Sequence, residues 1–297
     1  MIDWPSYNRS LVRRGEILFS YDFLDSWGSE IAKMNKGKKG KPFVYPDSFI
    51  LAIGYIRYSF HLPYKQTEGI INATRKNLSS KPSYGHICKR INNLNIDIKR
   101  DKTDDDDDLI ISIDSTGIKV TNRGQWMSEK WYKQDKKEYL KIPIAVDTKT
   151  KEILALEVTS EKVNDNRMLK KLVNHVLDNS SQPNSVKIKT VIGDGAYDSN
   201  ANFRYLQEKK IIPAIKVRKN SVISSKNNWL RNKEVRLQKK DLLKWKNKRK
   251  YGCRWMSETV FSSIKRMFGE HTLATRFNNM IKEMMIKVSL YNVFRRI

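Results

Sequence analysis

Tyr251, Arg254, Glu258 and Lys265 are spaced by three, four and seven residues. On a helix of 3.6 residues per turn those steps return to one stripe. The stripe carries a single carboxylate among an aromatic hydroxyl and two cations. A carboxylate can ligate a divalent metal, and neighbouring cations can hold phosphate oxygens. An Arg-x3-Glu step is also an ordinary ion pair on a solvated helix, so this stretch alone does not decide. Trp255, Val260, Phe261, Ile264 and Phe268 fall mostly off the stripe and can face a core.

Two further acids stand where strands would hold them. Asp114 lies inside the β-rich run from Leu109 to Val120. A carboxylate among apolar neighbours needs a cation, a donor or a metal. The plainer alternative is a strand-end turn in which Asp114 accepts from the backbone of Ser115 or Thr116. Asp194 sits in Gly193-Asp194-Gly195-Ala196-Tyr197-Asp198-Ser199, at the exit of a strand over 186–193. Strand exits are where open α/β sheets bind ligands, and the glycines allow close backbone approach. The alternative there is a glycine turn into a helix capped by Asp198 or Ser199, with no chemistry.

These acids need elements to position them. Residues 1–100 read as mostly helical, with apolar spacing over 17–34, 47–58, 64–77 and 83–94. If the short basic helix at the end of that region belongs to a helix-turn-helix, Tyr84, His86, Lys89, Arg90 and Asn93 would contact DNA. A plain helical bundle fits the same pattern. Asp101 to Asp108 holds six aspartates and no apolar residue, which predicts a linker and a domain boundary.

Beyond it, strands are expected over 109–120, 139–147 and 153–158 as an antiparallel meander, with Asp147 in a turn. A helix over 165–178 capped by Asp165, a strand over 186–193, a helix over 200–209 and a strand over 211–217 follow. A basic insert at about 218–250, the Glu258 helix and a final amphipathic helix over 280–294 close the chain. This is the order of a ribonuclease H-like fold: α/β, a mixed sheet flanked by helices, here preceded by a small all-α DNA-binding domain. In that fold the first and fourth strands are neighbours, which would bring Asp114 beside Asp194, and the closing helix would bring Glu258.

Charge points to the partner. Lys and Arg number 58 against 32 Asp and Glu, a formal net charge of +26. Residues 1–100 carry 17 basic and 8 acidic side chains, 101–195 carry 16 and 17, and 196–297 carry 25 and 7. Such an excess suits a polyanion, nucleic acid first. No apolar run nears the 18 residues or so of a membrane span, and no signal peptide is expected at the N-terminus. Two cysteines give no disulfide framework, so a reducing cytoplasm is expected. Residues 209–250 hold sixteen Lys or Arg and two acids, with Trp229 and Trp245 interleaved. That mixture suits a phosphate backbone with base stacking, or else a merely solvated loop and helix.

Tyr-x2-Arg-x3-Glu-x6-Lys, the Gly-Asp-Gly-Ala-Tyr-Asp-Ser stretch and three acids at gaps of 80 and 64 residues resemble the DDE transposases of small bacterial and archaeal insertion sequences. The resemblance covers roughly 109–297, and the N-terminal helices are similar to that group's end-binding region. Gly195-Ala196 stands where a Lys-Gly pair is usual, and the basic insert is shorter than the β-rich insertion of some relatives. The resemblance implies Asp114, Asp194 and Glu258 as catalytic and metal-binding acids holding two Mg²⁺ or Mn²⁺ ions. It implies Tyr251, Arg254 and Lys265 as DNA-backbone contacts. The activity implied is cleavage at the element's ends and strand transfer into target DNA, by a homodimer on DNA in the cytoplasm, at the nucleoid. A nuclease or resolvase of the same fold, and a non-catalytic DNA-binding protein, are the alternatives.

Overall fold

The computed structural model describes residues 3–74, 78, 80–98, 108–120, 139–178 and 187–297. The aspartate-rich linker expected over 101–108 lies outside the described residues except for Asp108. The chain forms two compact units, Met1–Ile96 with Leu273–Ile297, and Asp97–Thr272.

The second unit is built on a mixed sheet. Its strands are β1 (Leu109–Lys119), β2 (Tyr139–Asp147), β3 (Ile153–Leu156), β4 (Thr159–Ser160), β5 (Ile188–Gly193) and β6 (Ile212–Ile215). The order is β3-β2-β1-β5-β6, with β4 pairing β2. β1 runs antiparallel to β2, with Asp114 opposite Ile144, and parallel to β5 through Ser112 opposite Ile192. Three antiparallel strands followed by two parallel ones is the ribonuclease H-like arrangement.

Strand alternation splits β1 between two faces. Ile111 and Ile113, both fully buried, join a core with Leu169, Leu172 and Val173 of helix α6 (Met168–Asp178) and Phe203 and Leu206 of α7 (Asn200–Glu208). Ser112 and Asp114 therefore face the other way, and the Ser112 hydroxyl lies 3.3 Å from that of Ser257. Ser257 is on α10 (Trp255–Phe268), which buries Val260, Phe261, Ile264 and Phe268. Trp255, expected among those core residues, is instead 51% exposed, with the Lys151 ammonium over its ring. The basic insert folds into α8 (Trp229–Lys240) and α9 (Leu242–Lys248), capped by Asn228 and Asp241.

The first unit is helical: α1 (Trp4–Leu18), α2 (Trp27–Asn35), α3 (Asp47–Ser59), α4 (Tyr64–Ala73), α5 (Tyr84–Asn93) and α11 (Phe277–Arg295). Phe49, Ile50 and Ile53 of α3 share its core with Ile87 and Ile91 of α5 and Ile286 of α11. α11 departs from expectation twice. It was expected in the 109–297 unit and as amphipathic, yet it belongs to the helical unit and is buried on nearly every side. The charges on α11 are matched internally: Glu283 and Lys287 pair at 2.7 Å, both almost fully buried, and Glu283 also accepts from the Leu273 and Ala274 amides.

Candidate active site

β1 and β5 position the two aspartates. Their ladder ends with Ser112 opposite Ile192, each acid follows two residues later, and the charge of Asp194 is felt at Asp114. The Asp114 carboxylate accepts from the Ser115 amide at 2.9 Å, and that of Asp194 from the Ala196 amide at 2.9 Å. Glu258 arrives on α10, beside Ser257, whose hydroxyl lies 3.4 Å from the Asp114 carboxylate.

One guanidinium ties the acids together. Arg254 pairs with Asp114 at 3.2 Å and with Glu258 in the next turn of helix. Burial pushes the Asp114 carboxyl up from its ordinary value, and the nearby charges of Asp194 and Glu258 add to this, while the Ser115 amide and Arg254 oppose it. Burial also lifts Tyr251 to about 12, and the same three carboxylates push in that direction against Arg254. The four groups thus share one electrostatic neighbourhood.

The donors suit a hard divalent cation. Asp114 and Glu258 share the Arg254 guanidinium while Asp194 adds a third negative charge nearby, and carboxylate oxygens are the ligands such ions prefer. The metal cluster expected from the sequence is nevertheless not preformed. Among the described residues, no three acidic, histidine or cysteine side chains are grouped to hold a metal ion. Arg254 stands between Asp114 and Glu258 and takes up their oxygens instead.

Asp114, Glu258 and Lys265 line an open groove of about 580 Å³, together with Ser115, Thr116 and Arg266. A larger cleft of about 700 Å³ lies at the end of the sheet where β1 begins, and is lined by Lys149, Lys189, Lys248 and Lys250 with Asp108 and Asp147. It contains none of the three acids.

Several expected DNA contacts sit elsewhere than their type suggests. Trp245 is 3% exposed, donates its indole N–H to Glu234 at 2.6 Å and packs on Tyr251 at 5.1 Å between ring centres. It is a core side chain, a correction to the expected stacking residue. The cause is Glu234, buried with Arg249 and drawing the indole inward. Arg90 is likewise buried, paired with Asp47 at 2.6 Å and lying over the Phe43 ring, so it is not a free DNA contact. Lys89, Tyr84, His86 and Asn93 are exposed on the other face of α5. Partial burial and the cations Arg90, Lys89 and Lys41 hold the His86 imidazole below its ordinary range. Four residues join α3 to α4 but ten join α4 to α5, longer than the 3–4-residue turn of a helix-turn-helix. Trp229 is 57% exposed. Tyr251 is buried, its ring against Trp245.

Two acids read from the sequence as helix caps do other work. Asp198 holds Arg231 of α8 through 2.7 and 3.0 Å bonds and accepts from Ser221 and the Arg218 amide. The cap of α7 is Ser199. Asp165 lies within the short turn, whose N-cap is Asn164, and accepts from Ser115. No helix among the described residues is long and apolar enough to cross a membrane.

A family model described as a transposase DDE domain matches residues 105–293, and another of the same description matches 12–123. Among solved structures, the chain is similar to a piggyBac transposase synaptic complex with hairpin DNA, at 11% identity over 96% of this chain and 74% of that one, with a TM-score of 0.44. It is similar also to a pre-cleavage Mos1 transpososome, at 10% identity over 76% and 78%, with a TM-score of 0.26. The first family model spans well over half of the sequence, and the chain therefore belongs to the DDE transposases, enzymes that move DNA.

Proposed function

We propose that this transposase cuts the ends of its own element and joins them to target DNA, with Asp114, Asp194 and Glu258 as its catalytic acids. The observation that carries this is the side-by-side placement of β1 and β5, with Glu258 of α10 tied through Arg254 to Asp114. Membership of the family implies a divalent metal and DNA as partner. The three carboxylates would hold two Mg²⁺ or Mn²⁺ ions, which when bound stabilise charge on the attacking and leaving oxygens of an in-line displacement. Water opens the phosphodiester at the element's end, and the freed 3′-hydroxyl then attacks the target strand.

The chain's own residues bind and orient. Lys265 and Arg266 line the groove beside Asp114 and Glu258, where they can hold phosphate oxygens as the strand enters. Arg254 is within reach of the same strand once it leaves its carboxylates. Lys89 on the exposed face of α5 and Trp229 at the start of α8 extend the DNA contacts, by phosphate attraction and base stacking respectively. Pairing two ends favours a homodimer on DNA.

Asp114→Ala, Asp194→Ala and Glu258→Ala are each expected to abolish end cleavage in a radiolabelled-DNA assay while leaving end binding in place. Normal cleavage by any one variant would remove that residue from the site.

A further inference from the structure

We propose that Asp165 is a positioning residue for strand cleavage, acting on Asp114 through Ser115. This rests on Asp114 being one of the catalytic acids. Asp165 opens the short turn Asp165–Arg167 that precedes α6. Its carboxylate accepts from the Ser115 hydroxyl at 2.7 Å, and the Ser115 amide donates to the Asp114 carboxylate at 2.9 Å. Ser115 lies on β1 three residues past Ser112, where the ladder with β5 ends. Among the described residues, that stretch of β1 has no strand partner on its β5 side, and the Asp165 bond pins it from the side chain.

Lys141 decides what kind of role Asp165 has. Its ammonium lies 3.3 Å from the same Asp165 oxygen and donates to the Val163 carbonyl at 2.8 Å. Lys141 is on β2, opposite Gly117 of β1. A carboxylate neutralised in this way is a poor ligand for a further cation and a good fixed acceptor. Lys141 and Asp165 thus brace β2, the turn before α6 and the Asp114 segment of β1 against one another. Tyr197 is buried close to Asp165, Asp114 and Ser115. Its ring is 1% exposed, and its hydroxyl makes no hydrogen bond of good geometry, although Ser115 lies alongside.

The test compares Asp165→Ala, Asp165→Asn and Ser115→Ala in single-turnover cleavage of end DNA, with DNA binding and thermal stability measured on the same samples. Asp165→Ala and Ser115→Ala should each slow cleavage by about 10–100-fold, the usual effect of removing a residue that orients a ligand. DNA affinity should hold. Asp165→Asn keeps an acceptor for the Ser115 hydroxyl and should recover most of the rate. The double variant should be no slower than either single one, because both break the same link. Independently of activity, amide exchange at Ser115 in the DNA-free protein should speed up in Asp165→Ala. A wild-type rate for Asp165→Ala would overturn the proposal, as would additive losses in the double variant. So would Asp165→Asn being as slow as Asp165→Ala with a matching loss of thermal stability. Asp114→Ala runs alongside: if it still cleaves, the assignment of the acid itself has failed. If it is dead while Asp165→Ala is normal, only the positioning role has failed.

Discussion

Replacing Arg231 with methionine removes the cation from a carboxylate that has no access to water. The Asp198 side chain is 0% exposed and that of Arg231 13%. Arg231 supplies two of the four donors to Asp198, leaving the Ser221 hydroxyl and the Arg218 amide, both neutral. Breaking a buried pair from one side costs about 3–5 kcal/mol, because the remaining charge is stranded. Against a total stability of about 5–15 kcal/mol this is a large fraction. For a unit of this size it corresponds to a fall in melting temperature of about 6–20 °C. The pH dependence gives a second handle. Burial raises the Asp198 carboxyl, but the bonds from Arg231, Arg218 and Ser221 outweigh it and hold the group below its ordinary range. A depressed acid contributes stability that is present above its unfolded pKa, about 3.9, and lost as pH falls through the folded value. The wild-type protein should therefore lose this contribution on acidification below about pH 4, and Arg231→Met should lose most of that slope. Urea unfolding at pH 7 and at pH 3.5 measures both. Asp198→Asn combined with Arg231→Met should be more stable than Arg231→Met alone, since no charge is stranded. A loss under about 1 kcal/mol in Arg231→Met, with an unchanged acid limb, would refute the reasoning. Asp194 lies four residues before Asp198, so cleavage should fall with the pair.

The two insert tryptophans should separate cleanly. Trp245→Ala empties a core site and should cost about 3–5 kcal/mol in denaturant melts, whereas Trp229→Ala should leave stability within about 0.5 kcal/mol and weaken only the binding of unpaired DNA. Equal stability losses would show Trp229 to be packed as well. Gly193→Ala would put a methyl 3.1 Å from the Tyr197 ring, tighter than ordinary contact. Overpacking of that kind costs about 1–3 kcal/mol, read as a lowered urea midpoint, and an unchanged midpoint would mean that the ring gives way freely.

The sheet was legible because its strands are short apolar runs separated by turn residues, and a period of two is hard to mistake. β1, β2 and β5 lie within a residue or two of their expected spans. The neighbourhood of Asp114 and Asp194 was expected from the ribonuclease H-like fold, whose first and fourth strands are neighbours, and β1 does pair with β5. What stayed hidden depends on partners far along the chain. An aspartate just ahead of a helix reads as a cap, yet Asp165 finds Ser115 50 residues back and Asp198 finds Arg231 33 residues on. Trp245 sits among lysines and reads as surface, but Glu234 draws its indole inward. Arg90 reads as a DNA contact until Asp47, 43 residues away, claims it. Nor does local pattern reveal that α11 returns to the helical unit, because the spacing of apolar residues along a helix carries no label for the core they will join.

That return has a kinetic side. The core around Phe49 and Ile50 contains Ile286, whose methyl groups come within 3.4 Å of where a side chain on Gly54 would stand. A ribosome delivers α3 and α5 long before it delivers Ile286, with the whole sheet unit made in between. The early helices must wait, their apolar sides open, until the segment after Leu273 emerges to cover them. Nascent chains of this transposase are therefore expected to spend most of their synthesis exposed to chaperones and proteases, and to complete the helical unit only when α11 is in place.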